Sequence, residues 1–336
     1  MVGKSFIAAL VCAVALVGAA PLDRSAELVP VPVRPMNLAA SAVAHRIVAV
    51  GDIHSDIKAA VNVLKMAGLI DSKENWIGGT DTFISTASSP PKKKGAPEHM
   101  FSLEENIGDL VDRGADTIAV YKLFQKLRPQ AAAAGGEIVN LLGNHEVMNM
   151  GGDLRYVTKE DTASFGGASK RKAAWNVKSG WIGQFVSQNF KITHIQNGHT
   201  VFSHGDQHVD WAKLGVDTLN QMSRDNIMAG KFKEPIFRTP GPLWNRALAE
   251  NDGGDKKTCA DIETIKKYYG VKRLVSGHTA QDDTGRILSR CNGSYLVIDT
   301  GNSAYYGSHY SALEILEMTD GTQSAYAIYT SGKVPI

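Results

Sequence analysis

The chain has 336 residues, 43% hydrophobic and 21% charged, with a formal net charge of +2. That length and balance suit one large globular domain or two small ones. The near-neutral charge does not suggest an electrostatic nucleic-acid binder, so any anionic substrate must be held by a local site.

The N-terminus reads as a secretory signal over residues 1–20: Lys4 is the positive start, residues 7–17 are a short apolar run, and Gly18-Ala19-Ala20 supplies small residues for cleavage. An uncleaved N-terminal anchor is the alternative. The run is shorter than the roughly 20 residues that span a bilayer, and no later stretch is longer, so no membrane contact is expected beyond the signal. Residues 21–44, with Pro21, Pro30, Pro32 and Pro35, read as a linker or pro-segment. A single domain is expected over 45–336, in a secreted protein or one of the secretory lumen.

Residues 46–50 form an apolar strand that runs into Gly51-Asp52-Ile53-His54-Ser55-Asp56. Asp56 caps a helix through about Met66, with Ile57, Val61 and Leu64 at helical spacing. Joining Phe83-Ile84 directly to Ile107 would make one strand feeding Gly108-Asp109, so residues 86–105, with Lys92-Lys93-Lys94, read as a disordered insertion. Gly108-Asp109-Leu110-Val111-Asp112-Arg113-Gly114 follows. Asp116 then caps a helix that is expected to end near Pro129.

The third strand, 138–142, ends in Asn144-His145-Glu146. Residues 151–190 read as an irregular helical cap beside the site. A strand over 199–202 ends in His204, and one over 273–275 ends at His278, with helical stretches around 217–229 and 261–269 between them. Segments 286–289 and 295–298 flank Asn292-Gly293, a hairpin signal. Alternating strands and helices predict an α/β core, and the ligand-rich loops at strand ends predict one site along a sheet edge.

A hard or borderline divalent cation takes carboxylate oxygen and imidazole nitrogen. Asp52 and His54 are two apart, so in extended backbone they point the same way and can reach one ion. Asp109 can bridge to a second ion, completed by Asn144, His204 and His278. Ions about 3.5–4 Å apart clamp one phosphate and activate one water. Manganese, iron and zinc all suit these ligands. His45, His99, His194, His199, His208 and His309 lack such context. With Cys12 in the signal, Cys259 and Cys291 remain, which suits a disulfide in an oxidising compartment; two separate buried thiols are the alternative.

The five segments together resemble the calcineurin-like metallophosphoesterase superfamily. Gly-Asp-Leu-Val-Asp-Arg-Gly with Leu-Leu-Gly-Asn-His-Glu is similar to its phosphoprotein phosphatase branch. The stretch from Asn149 to Val157 and Gly241-Pro242-Leu243-Trp244-Asn245-Arg246 resemble the Shewanella-like protein phosphatases. The resemblance covers roughly residues 46–315. It implies an α/β fold of two packed β-sheets flanked by helices, a four-layer sandwich with a dimetal site at the sheet edge. It assigns Asp52, His54 and Asp109 to one metal, and Asp109, Asn144, His204 and His278 to the other.

The resemblance also implies a phosphatase acting on phosphorylated protein or small phosphomonoesters, and the signal makes it a secreted one. His145 would protonate the leaving group, oriented by Asp112, and Arg113 and Arg246 would hold phosphate oxygens. Alternatives are a nucleotide or dinucleotide polyphosphate hydrolase, or a non-catalytic secreted binding protein on this fold. Tyr306 could line the pocket or simply pack. Ser55 stands where the family usually has glycine, which strains the loop if its φ is positive. Asp206 also replaces a usual glycine, and could tune His204 or add a ligand.

Overall fold

The structure, a computed structural model, describes residues 42–85 and 110–336. The expected signal, most of the linker, the expected insertion, His99 and Asp109 lie outside the described residues. Among the described residues no helix is long and apolar enough to cross a membrane.

The first half contains β1 (Val43–Val50), α1 (Ile57–Met66), β2 (Thr82–Ser85), α2 (Thr117–Ala133), β3 (Glu137–Leu141) and α3 (Asn144–Gly151). β1 therefore begins inside the stretch expected to be linker. The expected cap is three short helices, α4 (Lys159–Ser164), α5 (Ala168–Ala174) and α6 (Trp181–Asn189). Then come β4 (Phe190–Lys191), β5 (Thr193–Gln196), β6 (Thr200–Ser203), α7 (Val209–Ala212), α8 (Val216–Met228), α9 (Asp255–Tyr269) and β7 (Arg273–Ser276). The chain closes with β8 (Leu288–Arg290), β9 (Tyr295–Val297), β10 (Ser311–Met318), β11 (Gln323–Tyr329) and β12 (Gly332–Pro335).

The strands form a seven-stranded sheet, ordered β12-β11-β10-β1-β2-β3-β4, and a five-stranded sheet, ordered β5-β6-β7-β9-β8. Successive side chains on a strand point to opposite faces, and that alternation divides the core. Ile47, Ala49, Ile84, Phe202, Val275 and Leu296 share one cluster between the sheets. Their neighbours Val48, Val50 and Phe83 face the helices of the first sheet. Val201, Leu274 and Val297 face a third cluster with Ile262 and Ile265 of α9. The result is the expected four layers. Each large aliphatic side chain fully buried there contributes roughly 1.5–3 kcal/mol.

Asp56 caps α1, its Oδ1 accepting from the Ala59 N–H at 2.9 Å. Asp116 precedes α2, but its side chain makes no capping hydrogen bond. The expected end at Pro129 is corrected: Pro129 lies inside α2. The proline removes one helix hydrogen bond, and burial of Leu127 and Ala131 on either side of it carries the helix on.

The Asn292-Gly293 hairpin is present, with β8 and β9 antiparallel and Asn292 and Gly293 at φ of 55° and 74°. Cys259 of α9 and Cys291 beside the turn form a disulfide across 32 residues of sequence. A loop of that length restricts the unfolded chain, so the double substitution Cys259→Ala/Cys291→Ala is expected to cost about 3 kcal/mol. Urea unfolding of both proteins measures this. An unchanged midpoint would mean that the bridge carries no stability.

Candidate active site

β1, β2 and β3 run parallel, as do β6, β7 and β9. Their C-terminal ends deliver Asp52 and His54, Asn144 and His145, His204, His278 and Asp299 to one edge. The loops there are tightly interlocked. A Cβ on Gly114 would lie 2.4 Å from the His54 carbonyl oxygen and 2.5 Å from that of Ser55, so only glycine lets the second motif close on the first. His54, Ser55, Asp112, Arg113 and His278 all hold left-handed φ of 50–72°. Such residues cost of order 1–3 kcal/mol each and persist only where the surroundings over-determine them. At Ser55 the buried hydroxyl is 2.7 Å from Thr117 Oγ1, which anchors the strained loop.

The structure brings most of the expected residues together. His54 Nε2 lies 3.7 Å from Asp52 Oδ2. Asn144 Oδ1 and His204 Nε2 converge to 2.6 Å, and the His204 and His278 rings are 4.6 Å apart. The His54 ring is 5.8 Å from that of His145. All six of these side chains are buried. Arg246 Nη1 donates to the His278 carbonyl oxygen at 2.6 Å, while its buried Nη2 has no partner among the described residues.

Arg113 is set further out, its guanidinium 4.4 Å from the Tyr156 ring and 4.7 Å from the Tyr305 ring, with Nη1 donating to Tyr305 Oη at 2.7 Å. Tyr156 stacks in turn on His145, centroids 4.9 Å apart. Tyr306 is buried with its ring 5.3 Å from His54, so it lines the site by packing on a proposed ligand.

His145 Nδ1 and Asp112 Oδ2 are 2.5 Å apart, the expected histidine–carboxylate pair. Burial raises the Asp112 carboxyl to about 7, against hydrogen bonding from Asn149 and the charge of Arg171, which lower it. Burial also pushes Asp52 well up, and the charges of Asp299 and Glu146 add to this. The His204 imidazole is driven well below its ordinary range, by burial first and then by His145, Arg246 and His54. A neutral imidazole is the form that binds a metal.

The donor set fits divalent cations. It offers buried carboxylate, amide oxygen and neutral imidazole, and His204 Nδ1 and Asn144 Nδ2 have no partner among the described residues. Among those residues no three His, Cys, Asp or Glu side chains gather closely enough to hold an ion. The expected bridge, Asp109, is outside them, and Asn144 is an amide.

Asp206 departs from both roles expected of it. Its Oδ2 accepts from the Leu248 and Ala249 N–H groups at 2.8 and 2.9 Å, and its Oδ1 from Ser276 Oγ at 2.9 Å and from Tyr295 Oη. With its lone pairs committed, it braces the turn that carries Arg246 and has none left for an ion. Asp299 was not singled out from the sequence, although it follows β9 just as Asp52 follows β1. Glu146 stood in the third motif and Asn149 opened the stretch to Val157, both without a role, and Arg171 behind His145 carries no local signal.

The sequence profile of the calcineurin-like phosphoesterase family matches residues 45–282. An uncharacterized protein of Schizosaccharomyces pombe is 34% identical over 299 residues, covering 85% of this chain and 81% of that protein. Shewanella-like protein phosphatase 2 of Arabidopsis thaliana is 27% identical, over 77% of this chain and 71% of its own. Among solved structures, the cold-active protein-tyrosine phosphatase of a psychrophilic Shewanella superposes with a TM-score of 0.65 at 25% identity, covering 84% of this chain and 80% of that one. This chain therefore belongs to the calcineurin-like phosphoesterase family, as a phosphoester hydrolase similar to the Shewanella-like protein phosphatases.

Proposed function

We propose that this protein is a secreted, metal-dependent phosphoprotein phosphatase that hydrolyses phosphomonoesters. The observation that carries the chemistry is the short His145–Asp112 pair, set beside the convergent Asn144 and His204 donors. Asp52, His54 and Asp109 would hold one divalent ion, and Asp109, Asn144, His204 and His278 the other, with manganese, iron or zinc all compatible. Two such ions supply Lewis acidity toward the phosphate oxygens and the attacking water.

The remaining work falls to side chains of this chain. Arg246, fixed through the His278 carbonyl oxygen, presents its unpartnered Nη2 to a phosphate oxygen. Arg113 reaches a second oxygen from its tyrosine stack when it leaves Tyr305. Asp112 accepts from His145 Nδ1–H, which leaves Nε2 to carry the proton that the departing alkoxide or phenoxide takes. The Cys259–Cys291 bridge supports an oxidising compartment, and the signal-like residues 1–20 support secretion.

A cavity of about 240 Å³ beside Asn144 supports a polypeptide substrate over a small phosphomonoester. Val147, Met148, Phe232, Phe237 and Trp244 make its apolar wall, Lys233 and Arg238 stand at it as cations, and Arg155 there is paired with Asp153. The Trp244 ring meets His278 edge-on at 6.0 Å, so the cavity adjoins the proposed metal ligands. Residues flanking a bound phosphoresidue would occupy it.

Stripping the mature protein of metal is expected to abolish hydrolysis of para-nitrophenyl phosphate, and manganese to restore it. Asp109→Asn is expected to remove that turnover, and His145→Asn to lower kcat on phenyl phosphate, whose leaving group needs the proton, by about 100-fold or more. Steady-state rates measure both, and a folded wild-type protein inert with every metal would end this reading. Separately, Lys233→Glu/Arg238→Glu is expected to raise KM for an acidic phosphopeptide about 10-fold while leaving para-nitrophenyl phosphate turnover within about 2-fold. Equal effects on the two substrates would remove the cavity from substrate binding.

A further inference from the structure

Behind the Asp112–His145 pair lies a buried polar chain that leads out of the catalytic motifs into the helical cap. Asn149, one turn beyond His145 on α3, donates from Nδ2 to both Asp112 carboxylate oxygens at 3.1 Å and to the His145 carbonyl oxygen at 2.9 Å. In that orientation its buried Oδ1 is turned away from Asp112 and needs a donor of its own. Arg171 Nη1 is that donor, at 2.6 Å. Arg171 Nε donates in turn to Asp161 Oδ2 at 2.7 Å, and Nη2 lies 3.5 Å from Asp112 Oδ1. Arg171 is 1% exposed and Asp161 fully buried. The guanidinium also sits 5.6 Å from the Phe165 ring and 5.9 Å from the Trp175 ring, which keep water away from it.

We infer that Arg171, held by Asp161, is a positioning residue for leaving-group protonation. It fixes the Asn149 amide and, through it, the Asp112 carboxylate that orients His145. The inference rests on the reading of His145 as proton donor. Its physical basis is the geometry of a guanidinium. Its planar fork bonds an amide oxygen and a carboxylate at once, at set angles, and a lysine ammonium has no such fork. If Arg171 is removed, Asn149 loses the donor that holds its oxygen away from Asp112. The amide is then free to turn, and a flipped Oδ1 would face the carboxylate and repel it. His145 would keep its place on α3 while its ring lost a fixed partner.

A simple packing arginine would not reproduce this. Two carboxylates, Asp112 and Asp161, are buried around a single guanidinium. Burying charge costs several kcal/mol per ion unless geometry and hydrogen bonds are good, and removing one partner strands the rest. The chain also joins the cap to the chemistry, because Asp161 lies on α4 and Arg171 on α5.

The test uses two substrates that differ in their need for a proton. The phenoxide released from phenyl phosphate needs it, and para-nitrophenoxide departs readily as an anion. Wild type, His145→Asn, Arg171→Met, Arg171→Lys, Asp161→Asn and the double variant His145→Asn/Arg171→Met would be assayed as the manganese-loaded full chain, with thermal melts for each. The expected result is that Arg171→Met lowers kcat on phenyl phosphate about 30-fold, and on para-nitrophenyl phosphate by no more than about 3-fold, with KM within about 2-fold on both. Asp161→Asn, nearly isosteric, should show the same pattern more weakly and keeps the test open if Arg171→Met does not fold. Arg171→Lys should fail to rescue phenyl phosphate turnover. In the His145→Asn background, Arg171→Met should add no further loss.

Equal losses on both substrates in every folded variant, or losses that add to that of His145→Asn, would overturn the inference and leave Arg171 a structural residue. His145→Asn as active as wild type on phenyl phosphate would instead overturn the proton-donor reading, and the inference with it.

Discussion

One buried carboxylate locks the active-site loops to each other. Glu146 accepts from the Leu110 N–H at 3.2 Å, from the Gly143 N–H at 3.1 Å and from Tyr121 Oη at 2.7 Å. It thereby ties the second motif to the start of α3 and both of them to α2. Burial pushes its carboxyl up, and the three donors act against that. It is fully buried, with 0% exposure. It helps fix the loop carrying Asp112 and Arg113 relative to His145, and a pair 2.5 Å apart tolerates little error.

The same principle governs the rest of the edge. Several backbones there sit in left-handed conformations that cost energy, and several charges are buried. Each cost is offset by a partner from a distant segment: Thr117 for Ser55, Asn149 and Arg171 for Asp112, and the Leu248 and Ala249 N–H groups for Asp206. The sandwich behind them has three mainly apolar clusters and supplies the rigidity. Strained loops on a rigid scaffold hold ligands and proton carriers ready, so less ordering is left to the moment of reaction. Asp206 illustrates the division of labour: beside a histidine in sequence it reads as chemistry, yet in space it is a brace for the Arg246 turn.

Much was legible in the sequence because it depends on neighbours close in the chain. The apolar run 46–50 reads as a strand, and β1 spans it. Asp56 before an amphipathic run capped α1, and Asn292-Gly293 turned a hairpin. The strand-then-ligand design of the motifs placed Asp52, His54, Asn144, His204 and His278 at one edge. The end of α2 was misread because Pro129 was weighed as a local breaker, and the burial that carries the helix past it comes from elsewhere in the fold. β10 to β12 were missed because nothing local marks them as partners for β1, which pairs with β10 across more than two hundred residues.

By itself, then, the sequence determined the α/β layering, the order of the catalytic segments and the chemical type of each proposed ligand, since those follow from local periodicity and residue chemistry. Only the tertiary structure decided which buried charges meet. The Arg171 fork on Asn149 and Asp161, the Tyr295 and Ser276 hydroxyls on Asp206, and the tyrosine stack around Arg113 join segments far apart in the chain. Such pairings depend on how the layers pack, and side-chain order along the chain carries no record of them.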